Sequence, residues 1–550
     1  MISVFRFHKK LVITGALLVS FFISAHSAFA DNIGEVRNFF VNSKYDEFSR
    51  TTLSATLRHV SNKAYFYVDD RYWAGLNQFE KNILLNNLDN LGREFDDNIY
   101  PKETQFFGFE PNPGIDDDPR TVVLAEDLIK GNGGYFETAN LYSRELAPDS
   151  NEREMIAISA EVTGSLGKGF LAHEFQHLIS TNQKDLLRNT SEDIWLNELR
   201  SEYAVTVVGY NDVFKGSNLD KRLDTFLSDT SDSLTEWKNL PADYGQIGMF
   251  GEYIAEHWSP QIIADTLKNK SAGFNSLAES LAKNRYLETF GDIYRNWLIA
   301  NFLNDGTLNA KFNYTKSALT DFRVTPTRVI NNLDDNTVFA ISDSIKDWQG
   351  KWYDISQFQS GSKNVLKINF SSSSLTSFYI VYLIFKPDGG YQAYDFTPML
   401  NSNALYIPDI GSNVGRVMIM PIKKDKLAGF SGNEPSVQLT LSFERVASAS
   451  SGLPLPSPIP INTPAIPPTH YSLQTTHYPD GSLIRVQGGY KVYVISARGG
   501  SASGGKGPWR RHITSPKIFN FYPGLGFDKV LEVDPSVLNQ YQESDLIRYE

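Results

Sequence analysis

The apolar residues of this 550-residue chain change their period once, near residue 325, and that change separates what can fold as helix from what must fold as sheet. Ahead of it, Leu84, Leu88, Leu91, Phe95 and Ile99 fall at helical spacing. So do Phe250, Ile254, Trp258 and Ile262, and later Phe290, Ile293, Trp297 and Ala300. Short runs of strand character lie among them at Ala64 to Val68, Thr121 to Leu124 and Glu154 to Ile158. Mixed elements of this kind give an α+β or α/β signature, read here as an α+β unit over residues 31–322. Beyond the change, runs such as Val365 to Phe370, Phe378 to Phe385 and Val437 to Phe443 alternate between Gly, Ser, Asn and Asp turns, which predicts a β-sandwich over 325–447. Seven of the 25 prolines then fall between Pro454 and Pro468, so residues 448–469 read as an extended spacer. A small β-rich module over 470–550 follows, with strands expected at Ser482 to Val486 and Tyr490 to Ile495 and a Gly/Ser loop at Gly499 to Gly507.

Arg6, Lys9 and Lys10 precede an apolar run from Leu11 to Ala25, and Ala28-Phe29-Ala30 makes a small-residue site before Asp31. This order predicts a secretory signal peptide over residues 1–30 and a mature chain beginning at Asp31. An uncleaved anchor is the rival reading, but the run is shorter than the ~20 residues a span needs. No later segment is apolar enough to span; Leu375 to Phe385 reads as a strand. The expected location is therefore extracellular or at the cell surface. The chain has no cysteine, which excludes disulfide scaffolds, thiolate metal sites and cysteine nucleophiles together. Any metal must be held by His, Asp or Glu. A formal charge of −11 argues against coating nucleic acid, which relies on Lys and Arg at phosphates.

The chemistry gathers at His173-Glu174-Phe175-Gln176-His177, an H-E-x-x-H run inside a helix-compatible segment. A spacing of four puts both imidazoles on one helix face, able to point at one ion, with Glu174 offset enough to reach the ion's water. Downstream, Glu198 and Glu202 are again four apart and share a face with Trp195 and Val205. Two carboxylates in a stripe that otherwise reads as buried need a cation or hydrogen bonds to hold them. Two histidines plus one carboxylate make the ligand set of a catalytic zinc with an open fourth position, and Glu202 would then accept from the free N–H of a ligating histidine.

The pair of motifs, H-E-x-x-H followed by Asn197-Glu198-x-x-Ser201-Glu202, resembles the gluzincin metallopeptidases, whose thermolysin branch carries N-E-x-x-S-D at similar distance. Here the last acid is Glu202 instead of Asp. Gly114-Ile-Asp-Asp-Asp-Pro-Arg120, Gly133-Gly-Tyr-Phe136 and Trp195-Leu-Asn-Glu198 are similar to the hyicolysin-type secreted bacterial peptidases, a likeness spanning roughly residues 55 to 305. The resemblance implies a thermolysin-like domain with His173, His177 and Glu198 as zinc ligands, Glu174 as general base and Glu202 behind a histidine. It also implies an oxyanion donor from a later helix, for which Tyr244, Tyr253 and His257 are candidates and Tyr244 is preferred. His257 could instead cap its helix, and His59 reads as structural or surface. The metzincin alternative fails, because no third histidine follows His177 at the required offset.

These readings converge on a secreted zinc endopeptidase, acting on protein or peptide through a metal-activated water and Glu174. The alternative is a catalytically silent adhesin or binding protein on a peptidase fold; an exopeptidase would need a group for the substrate terminus, and none is evident. In related peptidases an edge strand near the metal pairs with extended substrate, and the strand that would do so here is left open. Asp116-Asp117-Asp118 could take calcium. The C-terminal parts carry no catalytic pattern and could meet a wall or surface polymer, with Arg510, Arg511 and His512 read as a short basic turn.

Overall fold

The computed structural model describes residues 31–359, 361–398 and 403–448, and beyond them 459, 478, 481–486, 491–498, 506–513, 530–533, 535–538 and 541–544. The expected signal peptide, nearly all of the proline-rich spacer and Gly499 to Gly505 of the expected Gly/Ser loop lie outside the described residues. The first unit is built on a six-stranded sheet: β1 (Val36–Phe40), β2 (Thr52–Val60), β3 (Ala64–Asp69), β4 (Thr121–Glu126), β5 (Gly134–Phe136) and β6 (Met155–Ser159), in the order β1-β2-β3-β4-β6-β5. Strands β3, β4 and β6 run parallel; β1, β2 and the edge strand β5 pair antiparallel to their neighbours. The parallel strands are buried along their whole length, which is why they read as apolar runs without alternation. Phe66, Val68, Val123 and Ile158 face the helical core, while Tyr65, Tyr67, Val122 and Leu124 face a second cluster with Phe39 and Leu57.

The helices are α1 (Asp70–Gly75), α2 (Gln78–Glu94), α3 (Tyr100–Phe107), α4 (Ser165–Ser180), α5 (Ile194–Val207), α6 (Asn218–Ser228), α7 (Pro241–Trp258), α8 (Gln261–Asp265), α9 (Gly273–Lys283) and α10 (Phe290–Leu303). The stripe from Leu84 to Ile99 is buried throughout, but it runs off the end of α2 through a wide turn at Phe95–Ile99 before α3 begins. The stripe ending at Ile262 likewise crosses a break: α7 stops at Trp258, Ser259 takes φ +87°, and Ile262 belongs to α8.

The alternating region forms two facing sheets. One holds β8 (Val338–Lys346), β10 (Val365–Ser372), β13 (Ala404–Ile407) and β15 (Ser436–Val446). The other holds β7 (Arg328–Asn331), β9 (Tyr353–Ser356), β11 (Phe378–Phe385), β12 (Tyr391–Phe396) and β14 (Arg416–Lys423). Leu375–Ser377, expected in strand, forms a single 3₁₀ turn before β11. Ile380, Tyr382, Val417 and Ile419 fill the space between the sheets, whereas Val381, Leu383, Met418 and Met420 point the other way into the helical core.

Past the spacer, β16 (Leu483–Val486), β17 (Val492–Arg498), β18 (Lys506–Ile513), β19 (Val530–Val533) and β20 (Gln542–Glu543) make a sheet in the order β19-β16-β17-β18-β20. The Arg510 to His512 segment is therefore strand, not a solvated turn. Arg510 is buried and donates to the Leu538 carbonyl at 2.9 Å, and burial pushes the His512 imidazole down to about 4. Tyr493 donates to Asn189 Oδ1 at 2.7 Å, bringing this sheet against the segment between α4 and α5. Among the described residues, no helix is long and apolar enough to cross a membrane.

Candidate metal centre

Helix α4 follows β6 after a 3₁₀ turn at Ala160–Val162, and its back face is fixed by packing. Leu171, Phe175 and Leu178 are buried there, and the Phe175 ring meets Phe95 at 4.8 Å edge-on and Tyr100 at 5.6 Å. With that side pinned, His173 and His177 share the opposite face. Helix α5 is pinned the same way, Trp195 against Phe274 and Phe290 and Leu199 against Gly251, which turns Glu198 toward the histidines.

Glu198 Oε2 lies 3.3 Å from His173 Nε2 and 3.5 Å from His177 Nε2, and a ligand atom from each of the three fits within 4.8 Å of the others. Among the described residues this is the one group of three His, Asp or Glu side chains able to share an ion. Glu198 Oε2 is buried with no well-formed hydrogen bond. A buried carboxylate oxygen without a partner, facing two imidazole nitrogens, fits a cation with tetrahedral N/O preference such as zinc. Burial works to raise the Glu198 carboxyl, yet the two imidazoles overcome it and hold it at about 2.

The far nitrogens of both rings are occupied. His173 Nδ1 lies 3.2 Å from Glu202 Oε1. Glu202 is gripped by Arg222, whose Nε and Nη2 donate at 2.6 and 2.7 Å, and by Asn218 Nδ2 at 2.8 Å. Burial alone would raise Glu202; Arg222 and His173 hold it far below the carboxylate range instead. Burial works against the charged form of His173, but Glu198 and Glu202 raise it well above the usual value. His177 Nδ1 lies 3.1 Å from Ser201 Oγ and 3.2 Å from Asn197 Nδ2, and Ser201 Oγ donates on to Gln176 Oε1 at 2.7 Å. Such contacts fix ring orientation and leave the Nε2 atoms for a metal.

Glu174 sits at the floor of β5. A Cβ on Gly134 would come within 2.9 Å of Glu174 Cγ and 2.7 Å of the Ala157 carbonyl, and one on Gly133 would strike the Phe170 ring at 2.1 Å. The two glycines let the edge strand lie directly on α4, with Phe136 stacked on His177 at 6.5 Å. Burial raises the Glu174 carboxyl above its ordinary value, opposed by the two histidines.

Of the three oxyanion candidates, only Tyr244 is at the centre. Its ring lies 6.3 Å from that of His173, with the Arg222 guanidinium 4.7 Å from its centroid, and its hydroxyl donates to Asn239 Oδ1 at 2.9 Å. Tyr253 is buried and donates to the Lys311 carbonyl at 2.6 Å. His257 bonds the Asn313 carbonyl at 2.8 Å across to another segment instead of capping α7. His59 packs on Phe66 at 5.6 Å. Asp118 accepts from Tyr65 and the Arg120 amide, Asp116 accepts from the Asp118 amide, and Asp117 is exposed, so the three acids diverge. Sequence reasoning missed Arg222 and Asn218, which reach Glu202 from another helix and carry no motif, and Tyr45, which stacks on Tyr135 of β5 at 5.0 Å.

No protein-family model matches the chain. It is 27% identical, over an alignment of 253 residues, to the neutral metalloprotease ShpI of Staphylococcus hyicus; the match covers 40% of this chain and 52% of that protein. The chain thus spans about half the length of this curated relative, and the match relates it to a metalloprotease. Among solved structures, the periplasmic inhibitor of g-type lysozyme PliG from Salmonella Typhimurium aligns with 13% identity over 21% of this chain and 97% of its own, at a TM-score of 0.14. The Aeromonas hydrophila PliG aligns with 9% identity over 21% of this chain and 96% of its own, also at 0.14. Likeness at that level carries no argument about fold or function.

Proposed function

We propose that this chain is a zinc-dependent endopeptidase on a thermolysin-like domain, working outside the cell. The observation that carries the reading is the convergence of His173, His177 and Glu198 on one point, with Glu174 beside them and β5 above. The relative named a neutral metalloprotease supports it. His173, His177 and Glu198 would hold the metal; when bound, zinc supplies Lewis acidity that acidifies water and polarises a carbonyl. Glu174, raised by burial and so a better base, takes the proton of the attacking water and delivers it to the leaving amide nitrogen. Tyr244 donates to the oxygen that gains charge, exchanging its bond to Asn239 for one to substrate. Glu202, held by Arg222, keeps His173 oriented throughout.

The substrate is an extended peptide. Strand β5 closes the sheet order, paired to β6 on one side through Tyr135 opposite Ala157 and, among the described residues, with no strand on the other. Its open edge suits an added antiparallel strand, with the scissile bond beside Glu174.

The test is metal analysis with casein hydrolysis. Purified protein is expected to carry one zinc and to lose hydrolysis to a chelator. Glu174→Gln is expected to keep fold and zinc and to lose at least ~10²-fold in kcat, the lower end of what a general base contributes. Undiminished turnover by that variant would sink the reading, as would wild-type protein without metal.

A further inference from the structure

The first twenty described residues are short for an activation segment, and they are built into the domain at both ends. Asp31 is 5% exposed. Its carboxylate accepts from Arg37 Nη2 at 2.5 Å, Arg153 Nη1 at 2.7 Å and Tyr67 Oη at 2.7 Å. Its backbone nitrogen donates to Tyr65 Oη at 3.2 Å, and Tyr65 in turn donates to Asp118 Oδ2 at 2.8 Å. At the other end, Arg50 Nη2 bridges Asp46 and Asp69, both buried, at 2.6 Å each. Between these anchors the segment adds β1 to the sheet and is stitched to the Asn151 side chain by both backbone groups of Phe40 at 2.9 Å.

The same segment holds β5. Asn42 N donates to Tyr135 Oη at 3.2 Å, and Asn42 Nδ2 donates to Glu137 Oε1 at 2.5 Å just past the strand. Tyr45 stacks on Tyr135 with an interplanar angle of 18°. Its backbone carbonyl accepts from Ile129 at 2.8 Å, so the loop entering β5 is tied to it as well. The Tyr45 phenol is raised by burial first and then by Glu137, Glu174 and Glu198, which places it within electrostatic reach of the metal centre.

We propose that residues 31–50 stay on the working protein as a fixed belt, locked at Asp31 and Arg50, that sets the position of the β5 edge through Asn42 and Tyr45, and that they are not removed as an activation segment. The contribution to a substrate edge rests on the peptidase reading; the retention of the belt does not. Leader hydrolysis between Ala30 and Asp31 adds water across that bond, leaving a carboxylate on Ala30 and an ammonium on Asp31. That ammonium is formed at the Tyr65 hydroxyl, one hydrogen bond from the Asp118 carboxylate. Removing the belt would instead strip β1 from the sheet and leave Tyr135 without Tyr45 and Asn42.

The experiment uses the full chain, expressed with its leader in an exporting bacterial host. Intact mass and N-terminal sequencing of the exported protein are expected to give Asp31 as first residue, and an exported protein beginning beyond Asp31 overturns the proposal. Asp31→Ala is expected to lower the melting temperature by roughly 5 °C, as loss of a buried carboxylate holding two arginines does in a domain of this size. An unchanged melting temperature overturns the lock. Tyr45→Ala is expected to raise KM for a peptide substrate about tenfold with kcat nearly unchanged, and Tyr45→Phe, which keeps the stack on Tyr135, to restore it. Equal KM for wild type and Tyr45→Ala overturns the role at the edge strand. The mass and melting readouts need no activity, so failure of the peptidase reading is seen separately, as absence of hydrolysis by wild type.

Discussion

Arg222 is the residue on which the orientation of the centre turns, although it touches none of the three proposed ligands. It places one donor on each oxygen of Glu202, whose Oε1 also faces His173 Nδ1, and its guanidinium lies over the Tyr244 ring. Arg222→Ala leaves a buried Glu202 with one ring nitrogen and Asn218, so the imidazole loses its fixed tautomer and direction. The expected result is a ~10–100-fold loss of zinc affinity in a chelator competition, with Arg222→Lys recovering only part of it, since an ammonium cannot make the bidentate contact. Glu202 was readable because it stands four residues from Glu198 in an apolar stripe, a local misfit that asks for a partner. Arg222 was not, because its role comes from helix crossing, and an arginine on an amphipathic helix reads as a solvated face. Asp31 supplies a pH prediction at the same scale. Burial would raise its carboxyl, but Arg153, Tyr67 and Arg37 hold it below the ordinary value. A depressed carboxyl stabilises fully above its unfolded value of ~3.9 and loses that contribution as pH falls through the folded value. Melting temperature followed from pH 5 to 2 is therefore expected to fall less steeply in Asp31→Asn than in wild type, from a lower starting point.

At the scale of elements, the site is α4 and α5 crossing under a three-residue strand. The helices were legible, since H-E-x-x-H and the Glu198/Glu202 pair sit in apolar stripes of period 3.6 and packing only had to turn the stripes inward. Strand β5 has too few residues for a period, so Gly133-Gly-Tyr-Phe136 stood out as a phrase without revealing that it forms the sheet edge. Its glycines acquire a reason only once α4 lies beneath them. Gly134→Ala puts a methyl group 2.7 Å from the Ala157 carbonyl and 2.9 Å from Glu174 Cγ, both of which are held in place. Either β5 lifts from β6 or Glu174 shifts. The expected cost is about 1–3 kcal/mol in denaturant unfolding, typical of overpacking, with a fall in kcat larger than that loss of folded protein explains. Wild-type kcat in Gly134→Ala would mean that the contact between the edge strand and Glu174, the proposed base, is not needed.

For the whole molecule, the change of period near residue 325 marks a change of architecture without marking an end of the core. The signal was present in β11, where Phe378-Tyr-Ile-Val-Tyr-Leu-Ile-Phe385 is apolar at every position instead of every second one. A strand of that composition is covered on both faces, and here Ile380 and Tyr382 serve the sandwich while Val381 and Leu383 join the helical core. The join is sealed by Trp348, which meets Phe274 at 5.0 Å, Phe290 at 4.7 Å and Tyr294 at 5.4 Å, accepts from the Leu234 amide at 3.0 Å and donates its indole N–H to the Lys426 carbonyl at 2.8 Å. Trp352 adds an indole bond across the join, to the Leu298 carbonyl at 3.2 Å. Helices α9 and α10 therefore use the second sheet as their outer wall, and α10 packs against the Phe250 side of α7. Cutting the chain at residue 322 would leave that wall missing and a large apolar face in water. Calorimetry of the purified protein is accordingly expected to give one cooperative transition for the helical unit and the sandwich together, and Trp348→Ala to lower it as a single peak by about 3–5 kcal/mol of stability. Two resolved transitions, with only one of them moved by Trp348→Ala, would mean that the two units fold independently and that the sandwich is an appendage to the metal centre's core.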